Sequence, residues 1–481
     1  MNYRNTFLTL SIAVIASILF ANQFLDITEI VYAIYNSSAV ARILPFIVVL
    51  FVFWLLLAVF VYFLVLSLIK TQLGLYFVIL VLPMSALPFI LLGYPQAVLN
   101  WSFMCRSSVV VFALMISIFW MIRTSLSERQ QIRLPYLGSI IIFIALYSIH
   151  IIGIGPELRL SVIQSIFVLL SVSIFFYFII NYVKGYIEIY GIVKVMAISC
   201  ILQAILSFFS YYYYVAIKGE SIYSFSGFLR DYELFAEYLA IHVPIILFVI
   251  RKETGISKKV FTGGLVLVIF VLIATFSRGP LVSLFIGMVY YFIHLRKVEK
   301  LSGIFKSILL GVFMIGIMLF AVYMLLPASA RIIERFLATD LSTMDTRRDV
   351  WLRFGDYFAE KPIIGYGMFY DIRSAKLFWP HSTYLFYLLT LGICGLLNYL
   401  IFLFGIIRKG LESARISHSI PQYYELTITL NSALIVFIID GLKVDYQRYS
   451  NYQMFIWLIF ALVVCLNIIT KEKYIERCNK K

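Results

Sequence analysis

The sequence predicts an all-α integral membrane protein with about 14 transmembrane helices and one large extracytoplasmic loop that contains amphipathic helices. Hydrophobic residues make up 63% of the 481 positions and charged residues only 13%, whereas a soluble domain is about half apolar and about a quarter charged. Many apolar runs are long enough to cross a hydrocarbon layer about 30 Å thick. Basic residues stand mostly in short segments between these runs, as the positive-inside rule expects.

The net charge of +15 does not indicate a nucleic-acid-binding protein. The basic residues follow the segments between spans, and no basic patch with interleaved aromatic residues stands on a soluble domain. The first apolar run, from about Thr6, lacks a small-residue cleavage site and is interpreted as a span. Neither a disulfide framework nor a zinc site is predicted, because no Cys-x-x-Cys spacing occurs among Cys105, Cys200, Cys394, Cys465 and Cys478.

The apolar runs are interpreted in chain order, with boundaries that are soft by several residues. One apolar stretch is broken at Ser277-Arg-Gly-Pro280, because proline and glycine together end one helix and start another. The predicted spans are 6–25, 43–69, 72–93, 107–122, 135–152, 160–183, 189–215, 232–250, 259–276, 279–295, 304–326, 381–407, 424–441 and 452–470.

The charge bias predicts that both termini are cytoplasmic. With that orientation the inner segments carry Arg123, Arg129, Arg133, Arg251, Lys252, Lys258, Lys259, Arg296, Lys297, Lys300, Arg408, Lys409, Arg415 and the basic tail. The longest hydrophilic segment, 327–380, then lies outside, together with Arg230, Arg278 and His381. The predicted parts of the chain are transmembrane helices without motifs at 1–226, transmembrane helices with the Arg230 and Arg278 motifs at 227–326, the outer loop at 327–380, the last transmembrane helices at 381–470 and a cytoplasmic tail at 471–481.

The outer loop is predicted to contain two helices. Residues 328–339 form an amphipathic pattern that is typical of a helix resting on the membrane surface. A second helix is expected from Arg347 to Ala359, capped by Asp345 or Thr346 and stopped by Pro362. The following Gly365-Tyr-Gly367 predicts a turn where the backbone bends or approaches another segment closely.

Two arginines at predicted outer helix ends are candidates for phosphate binding. Arg230 shares a helix face with Glu233 and Glu237, which fits either a surface ion pair or an arginine that is held to bind a phosphate. Arg278 stands at the Ser277–Pro280 break, where the next helix begins with free N–H groups. An anion site is therefore favoured there over an arginine that snorkels to the headgroups.

His381 stands at the outer mouth of the twelfth predicted span, beside the loop. It fits a general base near neutral pH, and by position alone it fits a structural histidine equally well. Arg347 and Arg348 are by themselves typical of solvated charge. Asp440, Asp445 and Arg448 are also on the predicted outer side, where an aspartate at the end of a span fits either a relay or a satisfied cap.

Four segments in the second half of the chain form a pattern. They are Gly227–Leu239, with Arg230; Thr275-Phe-Ser-Arg-Gly279; Arg347-Arg-Asp-Val-Trp351 with Lys361-Pro-Ile-Ile-Gly-Tyr-Gly367; and His381-Ser-Thr-Tyr-Leu385 with Gly392 and Gly395. In order, spacing and common outer location they resemble the O-antigen polymerase and O-antigen ligase superfamily. Ser382 departs from the family pattern, in which asparagine is usual, but serine still forms hydrogen bonds.

The resemblance implies a GT-C-like fold and a metal-independent glycosyl transfer without a cofactor. The donor would be a glycan on undecaprenyl pyrophosphate, and an acceptor hydroxyl would attack the anomeric carbon with inversion. His381 would be the general base, and the substrate-binding residues would be Arg230, Arg278, Arg347, Arg348, Trp351 and Tyr384. The loop helices would exclude water from the site. Further partners would be a polysaccharide chain-length regulator and a flippase.

The motifs leave the acceptor open. A polymerase, the preferred interpretation, would use another lipid-linked repeat unit, and a ligase would use lipid A–core or another surface acceptor. A transporter or flippase for the same lipid-linked glycan is a further alternative, although only one clear helix break is seen and such proteins tend to show paired breaks. A non-catalytic scaffold in a polysaccharide assembly complex would tolerate replacement of His381 and the arginines.

Overall fold

The computed structural model describes residues 70–84, 102–128, 131–152, 154–212, 225, 231–296, 341–369 and 377–479. Within these ranges the regular secondary structure is entirely helical, which confirms the all-α prediction. The helices are α1 (Thr71–Val81), α2 (Ser102–Glu128), α3 (Leu137–Ile149), α4 (Pro156–Tyr182), α5 (Tyr186–Tyr212), α6 (Tyr232–Lys252), α7 (Gly255–Ala274), α8 (Arg278–Leu295), α9 (Leu341–Glu360), α10 (Thr383–Ile416), α11 (Pro421–Asp440) and α12 (Ser450–Cys478).

Among the described residues, 9 helices are long and apolar enough to cross a membrane: α2, α4 to α8 and α10 to α12. Helices α1 and α3 are apolar but shorter. The predicted spans 6–25, 43–69 and 304–326 and the predicted surface helix 328–339 lie outside the described residues. The protein is thus a multi-pass membrane protein, and the number of about 14 spans stays a prediction.

Helix α3 is shorter than its predicted span of 135–152. It has 13 residues, or about 20 Å at 1.5 Å per residue, less than a hydrocarbon layer needs. The helix starts after Tyr136, whose φ of 62° is left-handed. It ends at Ile149. The next residue is His150, whose Nδ1 lies 2.8 Å from the Leu146 carbonyl oxygen and whose Nε2 lies 3.3 Å from the Gly365 carbonyl oxygen. The glycine segment after α9 therefore meets the end of α3.

Helix α9 starts earlier than the sequence predicts. It begins at Leu341, so Asp345 and Thr346 lie inside the helix and the prediction that one of them caps it is wrong. The physical reason is that no glycine or proline stands between Leu341 and Thr346 to oppose helix formation. The predicted end is confirmed, because the helix stops at Glu360, two residues before Pro362.

Helices α6, α11 and α12 form the centre of the bundle. The most apolar windows of α6 and α12 are each 89% buried, and that of α11 is 78% buried. Helix α11 packs against both of the others, and it also contacts α8 and α10. Neighbours surround these central helices, whereas the most apolar windows of the peripheral α2, α7 and α8 are only 33%, 33% and 28% buried.

Helix α10 is interrupted at Gly392, and the segment after α9 fills the interruption. Gly392 has φ 65° and ψ −165°, which are not helical. The segment from Pro362 to Gly367 runs alongside and exchanges four backbone hydrogen bonds with the helix: Ile393 N–H to Pro362 O (2.8 Å), Cys394 N–H to Ile363 O (3.2 Å), Tyr366 N–H to Leu389 O (3.1 Å) and Gly367 N–H to Thr390 O (2.8 Å). The predicted close approach of Gly365-Tyr-Gly367 to another segment is confirmed.

At the bundle end farthest from His381, a buried carboxylate joins α6 to α11. Glu425 is 4% exposed and accepts hydrogen bonds from both Arg251 and Lys252. We expect Glu425→Gln to lower the free energy of unfolding by about 2 kcal/mol, because two charge-assisted bonds are lost while their cations stay partly solvated. Thermal or denaturant unfolding in detergent micelles measures this change.

Glu476 supplies the matched control for that substitution. Its carboxylate pairs with Lys473 at 2.9 Å, but both side chains are about half exposed. Glu476→Gln should therefore change the free energy of unfolding by less than about 0.5 kcal/mol. Equal effects of the two substitutions would contradict a stabilising role for the Glu425 contacts.

A second carboxylate at the same end makes stability dependent on pH. Hydrogen bonds from Lys194, Ser257 and Tyr190 lower the pKa of Glu253 from 4.5 to about 2. Since this pKa is depressed in the folded state, the stabilisation is complete above pH 4.5 and is lost as the pH falls through about 2. We expect Glu253→Gln to flatten the fall in melting temperature below pH 4.5, and an unchanged slope would contradict this contribution.

Candidate active site

Four separate parts of the chain meet at one end of the bundle. They are the start of α6 at Tyr232, the turn between α7 and α8, the start of α10 after His381, and the connection 441–449 between α11 and α12. We call this region the histidine end. Contacts among side chains from all four parts build the candidate site there.

His381 is held in an uncommon backbone conformation. Its φ of 52° lies in the left-handed region, which few residues other than glycine adopt. Trp379 stacks on Phe386 with ring centroids 5.5 Å apart, and the Thr383 N–H donates to the carbonyl oxygens of Gly441 (2.8 Å) and Val444 (3.1 Å). These contacts fix the chain on both sides of His381. Backbone strain that the surroundings maintain is characteristic of functional sites.

The carboxylate of Glu233 lies between two basic groups. Its Oε2 is 3.8 Å from His381 Nδ1 and its Oε1 is 3.5 Å from Lys443 Nζ. The side chain is only 7% exposed, so the low local dielectric strengthens both attractions. Asp231 caps the start of α6 by accepting from the N–H groups of Glu233 (2.9 Å) and Leu234 (3.2 Å), which fixes the backbone that carries this carboxylate.

The predicted helix break at Ser277–Pro280 is confirmed. Helix α7 ends at Ala274, Phe276 has a left-handed φ of 55°, and α8 begins at Arg278. Ser277 Oγ accepts a hydrogen bond of 3.2 Å from Lys443 Nζ. A Cβ atom at Gly279 would lie 2.6 Å from Lys443 Cδ, so the absence of a side chain there leaves room for the lysine across the start of α8.

The substrate-binding residues predicted from the sequence have different positions. Arg278 is the exposed first residue of α8, in the turn that contacts Lys443. The Tyr384 hydroxyl donates to the Ile438 carbonyl oxygen at 2.9 Å and so joins α10 to α11. Arg347, Arg348 and Trp351 lie on α9, and Arg230 lies outside the described residues. Their roles in binding stay predictions.

The sequence did not identify Lys443 or the pairing of Glu233 with His381. One signal for Lys443 was available, because it is a lysine on the predicted outer side, against the positive-inside rule. Asp440, read from the sequence as a relay or a satisfied cap, is 1% exposed. Neither of its carboxylate oxygens has a hydrogen-bond partner within the described part of the chain.

Ser382 occupies the position at which asparagine is usual in the family that this chain resembles. Its hydroxyl donates to the Gly441 carbonyl oxygen at 3.3 Å and ties the start of α10 to the α11–α12 connection. Serine thus supplies a hydrogen bond at this position, as the sequence predicted. Among the described residues, no group of 3 or more His, Cys, Asp or Glu side chains is arranged to hold a metal ion.

Part of the chain is similar to a known protein family. Residues 263–400 match the family described as O-Antigen ligase. The matched range contains three of the four segments that carry the resemblance: Thr275–Gly279, Arg347–Trp351 with Lys361–Gly367, and the segment that begins at His381. The resemblance to the O-antigen polymerase and O-antigen ligase superfamily is therefore confirmed. No curated protein matches the chain with significant sequence similarity.

Proposed function

We propose that this multi-pass inner-membrane protein, with its O-antigen ligase family segment at residues 263–400, is a glycosyltransferase that polymerises lipid-linked repeat units. The donor is a glycan on undecaprenyl pyrophosphate, and the product is a surface polysaccharide. One observation carries the proposal: His381 lies beside the Glu233 carboxylate at the bundle end that also holds the Ser277–Arg278 turn. A candidate base and a candidate anion site thus share one end of the bundle.

His381 is the general base of the proposed reaction. Its imidazole takes the proton of the acceptor hydroxyl, while the hydroxyl oxygen forms a bond to the anomeric carbon. The Glu233 carboxylate, 3.8 Å from Nδ1, stabilises the imidazolium that results. The proton then passes to water. Glu233 is in this scheme a positioning residue, because it acts through His381.

The second part of the reaction is the departure of the pyrophosphate leaving group. The bond between the anomeric carbon and the pyrophosphate oxygen breaks, and the electron pair stays on the pyrophosphate. Arg278 at the start of α8 offsets the added negative charge, together with the first N–H groups of that helix. Arg230, Arg347 and Arg348 are proposed to contact the same pyrophosphate, with Trp351 and Tyr384 against the glycan.

The histidine end is proposed to face the extracytoplasmic side. The opposite end of the bundle carries Arg133, Arg251, Lys252, Lys409 and Lys471 in its ion pairs. Such a bias toward basic residues is typical of the cytoplasmic side. The loop helix α9 then lies on the outer face, where it shields the donor from water.

A ligase is the second candidate, favoured by the description of the family that matches residues 263–400. In that case the chemistry at His381 is the same and the acceptor is lipid A–core or another surface molecule. The contacts at the histidine end do not select between the two acceptors, because the described polar groups serve the base and the leaving group.

Reconstitution in nanodiscs tests the proposal. The protein receives undecaprenyl-pyrophosphate-linked repeat units from its own host as the sole substrate, and products are separated on a gel. A ladder of products supports a polymerase. A single product that forms only after lipid A–core is added supports a ligase.

The same preparation distinguishes a transporter. If no covalent product forms with any acceptor, while the lipid-linked glycan moves across the bilayer of proteoliposomes, the glycosyltransferase proposal is overturned. If neither product nor movement is found, although the protein is folded, both catalysis and transport are excluded and a scaffold role remains.

A further inference from the structure

The α11–α12 connection supplies a basic residue to the histidine end that lies outside the matched family range. Lys443 Nζ is 3.2 Å from Ser277 Oγ and 3.5 Å from Glu233 Oε1. We propose that Lys443 is a pyrophosphate-binding residue of the donor site, which exchanges its contact with Glu233 for the phosphate oxygens. This inference rests on the proposed function and adds a residue to it.

The position of Lys443 suits an anion at the start of α8. Gly279 leaves room for the lysine to cross the first turn of that helix, whose N-terminus favours negative charge. Arg278 is in the same turn. A phosphate at this place would meet one arginine and one lysine, together with the helix N–H groups, and it would also lie near the carboxylate of Asp440. That combination of a fixed helix end with cationic side chains is a common way of binding phosphate.

The contacts of Lys443 also permit the exchange. Its distance of 3.5 Å from Glu233 makes the pair an ion pair rather than a well-formed hydrogen bond. The lysine side chain is 23% exposed, whereas Glu233 is 7% exposed. The Lys443 ammonium can therefore reach a ligand at the surface of the histidine end while the Glu233 carboxylate stays in place. A pyrophosphate carries more negative charge than one carboxylate, so it competes well for the cation.

Asp440 keeps this cation at the site. Its carboxylate is buried with no hydrogen-bond partner among the described residues, and its Oδ1 lies 2.8 Å from the place a Gly279 Cβ would occupy. Lys443 Cδ lies beside the same place. A buried carboxylate next to the aliphatic stem favours an ammonium group nearby. The lysine is thus retained at the start of α8 whether or not a phosphate is bound.

Glu233 brings the two side chains to the same site. Because its carboxyl group contacts both of them, the His381 imidazole and the Lys443 ammonium are no more than about 10 Å apart. In the proposed reaction His381 acts on the acceptor hydroxyl and Lys443 on the leaving pyrophosphate.

Donor binding would then strengthen the base. When Lys443 turns to the pyrophosphate, its positive charge no longer offsets the carboxylate of Glu233. The negative potential at His381 increases, and the imidazolium that forms in the reaction is better stabilised. Lys443 would consequently affect the turnover number as well as the affinity for the donor, and it would leave the affinity for the acceptor unchanged.

Binding of farnesyl pyrophosphate to the protein in nanodiscs tests the inference, with farnesol as the uncharged comparison. Wild type should bind the pyrophosphate more tightly than the alcohol. Lys443→Gln should weaken pyrophosphate binding by about tenfold to about a hundredfold, because one charge-assisted contact is lost. Lys443→Arg should stay within about threefold of wild type, since it keeps the charge. Lys194→Gln, at the opposite end beside Glu253, should have no effect.

A double variant guards against misfolding. If Lys443→Gln fails to fold because Glu233 loses its contact with the lysine, the single variant Glu233→Gln is compared instead with the double variant that carries Glu233→Gln and Lys443→Gln. The double variant should bind farnesyl pyrophosphate about tenfold more weakly than the single variant. With the natural donor, Lys443→Gln should raise the donor KM and lower kcat without changing the acceptor KM.

The outcomes separate the two proposals. If wild type binds farnesyl pyrophosphate no more tightly than farnesol, the proposed function is overturned. Suppose that wild type prefers the pyrophosphate, but Lys443→Gln binds it as tightly as wild type and the double variant binds it as tightly as Glu233→Gln. The role of Lys443 is then overturned and the proposed function stands.

Discussion

Replacement of His381 by alanine is expected to lower the rate of glycan transfer by about 100-fold to about 10,000-fold, the usual contribution of a positioned general base. The affinity for farnesyl pyrophosphate should stay near that of wild type, because the imidazole serves the acceptor rather than the leaving group. Initial rates in nanodiscs, with donor and acceptor both saturating, measure the first quantity. Equilibrium binding measures the second.

His418 offers a matched control for this substitution. It is an exposed histidine at the opposite end of the bundle, beside Tyr424. His418→Ala should leave both the transfer rate and the donor affinity unchanged. A His381→Ala variant that is folded and transfers glycan within about threefold of the wild-type rate would remove His381 from the role of base.

Replacement of Gly392 by alanine should lower the free energy of unfolding by about 4 kcal/mol. Its φ of 65° is strained for any residue with a Cβ atom, and that atom would lie 2.3 Å from the carbonyl carbon and oxygen of Ile363. Each effect costs about 1–3 kcal/mol, because neither contact is with a flexible side chain. The melting temperature and the yield of folded protein in detergent measure the loss.

Gly263 provides a control at which the same substitution is expected to raise the free energy of unfolding. It lies within α7, and a Cβ there would meet no atom within 4 Å. Gly263→Ala should therefore stabilise the protein by about 0.5–1 kcal/mol through helix propensity. If Gly392→Ala melts at the same temperature as Gly263→Ala, the tight contact between the Pro362–Gly367 segment and α10 is not what holds this region together.

The sequence predicted local features that proline and glycine impose. The break between α7 and α8, the end of α9 before Pro362 and the close approach at Gly365-Tyr-Gly367 all depend on residues whose backbone preferences act without neighbours. Local signals failed for the start of α9, where the capping pattern at Asp345 was weaker than the helix propensity of the preceding residues. The ends of α3 lie within a few residues of the predicted ones, but its contact with the Gly365 segment, far away in the chain, was not predicted.

The candidate site was also predicted only in part, because some of its contacts join parts of the chain that are distant in sequence. His381 and the Ser277–Arg278 turn were found because motif spacing marks them. The contact of Glu233 with both His381 and Lys443 was not predicted, since it depends on which helix ends become neighbours in the bundle. Hydropathy assigns each residue a depth in the membrane, but it does not say which of the other helices stands beside it.

The interrupted helix α10 also constrains how the chain enters the bilayer. Gly392 stands nine residues after the start of α10, and the groups freed there are bonded by Pro362, Ile363, Tyr366 and Gly367. In hydrocarbon each unbonded backbone group costs several kcal/mol, so α10 alone is a poor substrate for insertion as an independent span. The ribosome makes the bonding segment first and the helix immediately afterwards. The two are therefore expected to leave the translocation channel as one unit, with the Pro362–Gly367 segment serving as the template on which α10 completes its folding.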